Sequence, residues 1–229
     1  MRHLQAVGGA ALNGEDTVVT DRSPQRADEP SGDRPDETAV AGTTSGRRAV
    51  AARRAVAVLA ATGAVALLLD VLTKQWAVSA LTGREPVRLL GGVVYLDLIR
   101  NSGAAFSLGT RFTFVFPMIT LAVVGWIGWT ARRLRSAPWA VALGLVLGGA
   151  LGNLADRIFR APGPMVGHVV DMISVFGPNA QYFPVFNVAD SALSVGVVLA
   201  VLLELTGRRM DGTRARERDQ VTVPDSARG

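Results

Sequence analysis

Three acidic residues lie in or beside apolar sequence between Gly148 and Gly196: Asp156, Asp171 and Asp190. An ionised side chain at membrane depth costs roughly 2.5–3.5 kcal/mol on insertion scales, so such residues usually serve a function. Two carboxylates held close together share a proton, because both cannot ionise readily. One can then activate a water molecule while the other donates a proton to a carbonyl oxygen, which hydrolyses an amide. We expect Asp171 and Asp190 to form such a catalytic pair.

Helix capping explains part of this pattern without catalysis. Asn187 can cap the last apolar block, which places Asp190 in its first turn, where the helix dipole favours negative charge. The same dipole would make Asp190 the more easily ionised member of a pair. Capping does not explain Asp171, so the catalytic interpretation stands beside it.

Other kinds of catalytic centre fit the residue types less well. Ser191 and Ser194 have no nearby His or Lys to serve as a base, which argues against a serine hydrolase. His168 has no second His at metal-binding spacing, and the chain contains no Cys. The sequence therefore predicts neither a metal site nor a cofactor.

Four apolar blocks must position these side chains. Of the 229 residues, 49% are hydrophobic, and they are gathered into stretches near the roughly 20 residues that cross a bilayer. We predict an all-α polytopic membrane protein with four transmembrane helices, spanning about 55–81, 112–131, 138–155 and 187–207.

Arginines beside the apolar blocks predict the orientation. They explain the formal net charge of +5 better than nucleic-acid binding does. Arginine clusters before the first span, after the second and after the fourth predict that both termini are cytoplasmic, although the external loops carry arginines too. Residues 1–46 and 208–229 are polar, and we expect them to be disordered tails. The peptidase-like core is then 47–207.

Two spans carry further polar or small residues at helical spacing. Asp70 and Lys74 lie four residues apart in the first span, so they can form an ion pair on one helix face. In the third span, glycines recur every four residues, which is typical of close helix packing in lipid. Asn153, Asp156 and Arg157 follow on one face at its outer end. We expect Asp156, Asp171 and Asp190 to converge at the outer leaflet.

The first external loop has the pattern of a small β element, at about 84–111. Apolar and polar residues alternate from Val94 to Ile99, and Gly91-Gly92 predicts a turn before them. Asn101 follows, either as a ligand-contacting residue or as the cap of a turn. We expect this β element to rest on the outer surface of the membrane. In the second external loop, VVDMISVF is apolar enough to dip against the membrane.

The sequence resembles lipoprotein signal peptidase, also called signal peptidase II, over residues 55 to 207. Any one of the motifs that carry the resemblance would be weak alone, but together they occur in the right order among four spans. The motifs are an Asp and a Lys in the first span (Asp70, Lys74), NSGAAF (101–106), GGALGNLADR (148–157), VVDMI (169–173) and FNVADSALSVG (186–196).

The resemblance implies a bacterial inner-membrane aspartyl endopeptidase. Such enzymes cleave the signal peptide from prolipoproteins whose Cys already carries a diacylglyceryl group, and they cut just before that Cys. The catalytic pair carries over onto Asp171 and Asp190, and the β element matches a cradle that helps to hold substrate. Other matching positions line or support the site: Asn101, Asn153, Asp156, Arg157, Asn187 and Asp70.

The resemblance also implies partners. These are the diacylglyceryl-modified prolipoproteins, membrane lipids and the inhibitor globomycin, a cyclic peptide that occupies the site. We expect a monomer. Two features depart from the family pattern: the N-terminal extension, and a longer link between Asp156 and Asp171 that contains Pro162 and Pro164.

Two other functions compete with a peptidase. A proton-coupled transporter would use the carboxylates as a relay, and it predicts acids staggered across the membrane depth. A non-catalytic assembly subunit would use the acids only for helix packing, so it would tolerate Asp171→Asn.

Overall fold

The computed structural model describes the backbone of residues 37–45 and the whole of residues 46–103 and 114–214. Four helices and a three-stranded sheet make up this part of the chain. The helices are α1 (Glu37–Leu81), α2 (Val115–Ala131), α3 (Ala137–Phe159) and α4 (Val188–Leu205), and the strands are β1 (Val87–Leu89), β2 (Val94–Asn101) and β3 (Val169–Val175). The extended strands precede and follow the α2–α3 pair in the chain.

Three of the described helices are long and apolar enough to cross a membrane: the Gly46–Leu81 part of α1, α3 and α4. Helix α2 is apolar but has only 17 residues. Its predicted span starts at 112, and residues 112–113 lie outside the described part. The chain therefore has the elements of a multi-pass membrane protein, while the count of four spans stays a prediction.

Glycines of α3 bring the helices into close contact. A Cβ on Gly148 would collide with the backbone of Gly63 and the side chain of Ala66 on α1. On the neighbouring face, a Cβ on Gly149 would meet the backbone of Ala189 on α4. The small-residue ridge predicted from the sequence is thus confirmed as a packing surface, and it lets α3 lie between α1 and α4.

The sheet has the order β1–β2–β3, and both pairs are antiparallel. The predicted β2 and the turn before it are confirmed: a short 3₁₀ segment at Leu90–Gly92 joins β1 to β2, and Gly91 and Gly92 have positive φ angles. Residues 104–111 of the predicted β element lie outside the described residues.

The segment VVDMISVF, which we expected to dip against the membrane, forms a strand, and its position relative to the membrane stays a prediction. This segment is β3, and it pairs with β2 in a register that sets Ile99 opposite Asp171. The first four residues of the strand are buried. Val170 and Met172 pack with Ala77 and Leu81 at the end of α1. Because side chains alternate along a strand, Asp171 points to the opposite side.

Two other boundaries differ from expectation. Helix α1 begins at Glu37, well before the predicted span at 55. After α4, part of the predicted C-terminal tail forms a turn. Met210 O in this turn accepts hydrogen bonds from the N–H groups of Arg135 and Ser136, which lie between α2 and α3. Residues 1–36 and 215–229 lie outside the described part, so the division into tails and core stays a prediction.

Candidate active site

Asp171 is buried on β3, where two asparagine amides donate to its carboxylate. Asn101 Nδ2 donates to one oxygen at 3.0 Å, and Asn187 Nδ2 donates to the other at 2.7 Å. Asn101 ends β2 and Asn187 precedes α4. The side chain is therefore held by groups from two other elements, the end of β2 and the start of α4.

Burial is also the main influence on the ionisation of Asp171, which lies outside the membrane-spanning helices. Loss of contact with water raises the pKa of its carboxyl from 3.8 to about 6. The amide hydrogen bond from Asn101 opposes this rise, and the charge of Asp190 adds to it. Asp171 thus keeps its proton to a higher pH than an ordinary carboxyl does.

Asp190 is tied to Asp171 through Asn187. Asn187 and Asp190 form a capping box at the start of α4. The Asp190 N–H donates to Asn187 Oδ1 at 2.8 Å, and the Asn187 N–H donates to Asp190 Oδ2 at 3.3 Å. The capping role considered for Asn187 is therefore confirmed. It coexists with a second role, because the same side chain donates to Asp171.

Both carboxylates line one cavity of about 350 Å³. Its polar wall also includes Asn101, Asn153 and Arg157. The remaining wall is mostly apolar and comes largely from α2, α3 and α4, through Phe116, Ile119, Val123, Ala150 and Leu193. A water molecule or a peptide bond in this space would lie beside two acids and against an apolar surface.

Lys74 does not line this cavity but contacts three polar side chains near it. Its ammonium group is 2.7 Å from Asp70 Oδ2 and 3.0 Å from Asp156 Oδ2, and it donates to Asn153 Oδ1 at 2.9 Å. The Asp70–Lys74 pair expected from the sequence is confirmed, with both side chains buried. The other oxygen of Asp70 accepts from the Ala189 N–H at 2.9 Å, so this pair also anchors α4.

Asn153 links Lys74 to Asp190 through hydrogen bonds. Since its carbonyl oxygen accepts from Lys74, its amide nitrogen faces the other way and donates to Asp190 Oδ1 at 2.8 Å. Asp190 thus receives hydrogen bonds on both carboxylate oxygens.

We expected Asp156 to support the site and to lie with Asp171 and Asp190 at the outer leaflet. It lies close to β3 but is not among the residues that line the cavity. One of its oxygens contacts Lys74 and accepts from the Val170 N–H, and the other pairs with Arg160. These contacts fix the strand beside Asp171. Sequence reasoning missed Arg160, although its position four residues after Asp156 on a helix could have indicated the pair.

Arg157 closes the site on the side of β2. It donates to the carbonyl oxygens of Asn101 and Gly167, at 3.2 and 3.0 Å, and its guanidinium lies 5.8 Å from the centre of the Phe116 ring. Asn101 in turn accepts the Gly103 N–H at 2.8 Å, so it caps a turn and contacts Asp171 at once. The later residues of NSGAAF, 104–106, lie outside the described residues.

Comparison with known proteins decides the family. A profile of the family described as signal peptidase (SPase) II matches residues 62–206. The chain belongs to the signal peptidase II family. It is therefore a bacterial multi-pass membrane peptidase, and the resemblance seen in the motifs is confirmed.

Individual relatives agree over most of their length. The lipoprotein signal peptidase of Mycobacterium tuberculosis (strain ATCC 25618 / H37Rv) is 45% identical over 194 residues, which cover 84% of this chain and 94% of the relative. That of Streptomyces coelicolor is 49% identical over 161 residues, covering 70% and 76%. A solved bacterial membrane enzyme is 27% identical, has a TM-score of 0.55, and is matched over 63% of this chain and 90% of its own.

Proposed function

We propose that this protein is an intramembrane aspartyl endopeptidase that removes signal peptides from diacylglyceryl-modified prolipoproteins. Membership of the signal peptidase II family supports the reaction. The placement of Asp171 and Asp190 on one cavity, with Asn187 donating to both, supports the catalytic pair. No metal or cofactor enters the proposal.

In this mechanism, the two acids share one proton. Asp190, at the positive end of the α4 dipole, accepts a proton from a water molecule as the water oxygen attacks the scissile carbonyl carbon. Asp171, whose pKa is about 6, donates its proton to the carbonyl oxygen. When the tetrahedral intermediate collapses, the C–N bond breaks, Asp190 gives the proton it took from water to the leaving amine, and the hydroxyl proton returns to Asp171.

The apolar wall of the cavity suits a lipid-bearing substrate. Phe116, Ile119 and Val123 of α2 form an apolar surface opposite the acids. We propose that the diacylglyceryl group packs on apolar surface here and is the main anchor that holds the peptide bond between Asp171 and Asp190. Globomycin would compete for the same cavity.

We also propose an orientation in the membrane. The arginines in the first part of α1 and after α4 favour cytoplasmic termini. The sheet and the acids then lie at the outer leaflet of the plasma membrane, where an exported prolipoprotein presents its cleavage site.

The test is cleavage by the purified full chain in detergent, with matched precursors that do or do not carry the diacylglyceryl group. We expect cleavage immediately before the lipid-bearing Cys, identified by mass spectrometry of both products, and inhibition by globomycin. Equal rates on both precursors would refute the lipid anchor. A folded protein that cleaves neither precursor would refute the proposed function, and proton flux in liposomes would then test the transporter alternative.

A further inference from the structure

A groove rich in arginine lies at the end of the helices far from the acids. Its volume is about 750 Å³, and its walls come from the first part of α1 and from the link between α2 and α3. Arg47 and Arg54 of α1 line it together with Arg135 of the link. From Arg54 to Lys74, α1 rises by about 30 Å at 1.5 Å per residue. The groove is therefore separate from the candidate active site.

The charge of this groove is unbalanced. Among the residues whose side chains the structure describes, none that lines it is acidic. Within the described residues, none of the three arginines forms a salt bridge, and all three side chains are exposed. The groove thus presents three guanidinium groups suited to an anion.

The floor of the groove is apolar. Val50, Ala51 and Ala55 line it between the arginines, and they belong to the stretch of α1 that is apolar enough to cross a membrane. A small soluble anion would gain nothing from these side chains. An amphiphile with an anionic head would contact both the guanidinium groups and the apolar floor.

We propose that this groove binds an anionic phospholipid, with the phosphate held by Arg47, Arg54 and Arg135 and the glycerol and first acyl carbons against Val50 and Ala51. Guanidinium groups bind phosphate oxygens in a bidentate manner. Basic pockets between membrane helices commonly hold anionic headgroups. A bound lipid would contact both the first part of α1 and the α2–α3 link, two segments that are far apart in the sequence.

The experiment is native mass spectrometry of the full chain in detergent, titrated with dioleoyl phosphatidylglycerol or dioleoyl phosphatidylcholine. The groove variant is Arg47→Gln/Arg54→Gln/Arg135→Gln. A charge-matched control replaces three arginines at the other end of the molecule: Arg84→Gln/Arg88→Gln/Arg100→Gln. Each arginine near an anionic lipid contributes appreciably to binding, so we expect the groove variant to bind phosphatidylglycerol on the order of a hundredfold more weakly.

The proposal predicts that the unchanged chain and the control variant bind phosphatidylglycerol at least tenfold more tightly than phosphatidylcholine. Equal affinity for the two lipids, or equal loss in both variants, would overturn it. Displacement of the lipid by inorganic phosphate at comparable concentration would show an anion site without lipid specificity and would also overturn it. The single variant Arg47→Gln, at an exposed position of α1, keeps the test valid if the triple variant does not fold.

Discussion

Lys74 is the residue on which the buried polar groups of the site depend. Its ammonium group forms salt bridges with Asp70 and Asp156 and donates a hydrogen bond to Asn153. The last of these contacts determines which way the Asn153 amide faces, and so whether Asp190 receives an N–H or faces a carbonyl oxygen. A lysine that does not itself line the cavity thereby supports the charge of a proposed catalytic acid.

Replacing Lys74 by Met should therefore affect stability and activity together. Breaking a buried ion pair by removal of one partner costs about 3–5 kcal/mol, because the remaining charge is left unpaired. We expect a lower thermal midpoint in detergent and loss of cleavage. Gln75→Met is the matched control, since Gln75 is the next residue on α1 and is exposed. An unchanged midpoint for Lys74→Met would show that Lys74 does not hold the network.

The pKa of Asp171 predicts a pH dependence of stability. Because this pKa rises from 3.8 to about 6 on folding, the folded state binds the proton more tightly than the unfolded state does. The corresponding stabilisation is present below about pH 4 and is lost as the pH rises through 6. Two pKa units correspond to about 3 kcal/mol.

The variant Asp171→Asn isolates this effect, since it cannot titrate. We expect the thermal midpoint of the variant to rise relative to that of the unchanged protein between pH 4 and pH 6.5. Above pH 6.5, the difference between the two midpoints should stay constant. A difference independent of pH throughout this range would contradict the raised pKa of Asp171.

At the scale of elements, α3 positions the site through its glycines. Gly152 lies against Asp70: a Cβ there would collide with Asp70 Oδ2 and press on Ala189 of α4. Both Asp70 and Ala189 belong to the hydrogen bond that anchors the start of α4. The close approach of three helices therefore depends on the absence of a side chain.

Gly152→Ala should accordingly destabilise the protein by about 1–3 kcal/mol, as overpacking does. Gly125→Ala on α2 is the control, because open space surrounds the added Cβ at that position. Thermal unfolding in detergent compares the two variants. A midpoint for Gly152→Ala at or above that of Gly125→Ala would contradict the packing described for α3.

The same scale shows why one strand escaped prediction. The alternation of apolar and polar residues in the sequence revealed β2. β3 is buried along its first four residues, so its sequence reads as a continuous apolar run. Such a run does not distinguish a buried strand from a segment lying in lipid. Its pairing with β2 also crosses a long stretch of chain, which local patterns do not record.

At the scale of the whole molecule, sequence reasoning located the apolar helices and the acids but not every contact between them. Asp70 and Lys74 could be paired in advance because they are close on one helix. The partners of Asp156 could not be predicted, because Lys74 and Val170 come from elements distant in the chain. The rotation of each helix about its axis decides such contacts, and apolar blocks leave that rotation open.

The most direct measurement for the whole account is cleavage of a diacylglyceryl-modified prolipoprotein by purified Asp171→Asn and Asp190→Asn variants. Asp97→Asn is the control, because Asp97 is a buried acid that accepts the Asn179 N–H at 2.7 Å and does not line the cavity. General acid–base groups contribute about 10²–10⁴-fold each. We predict that both site variants fold and lose at least about a hundredfold in rate while Asp97→Asn cleaves normally. Near-normal cleavage by either folded site variant would contradict the two-carboxylate mechanism and move the catalytic role towards Asp156.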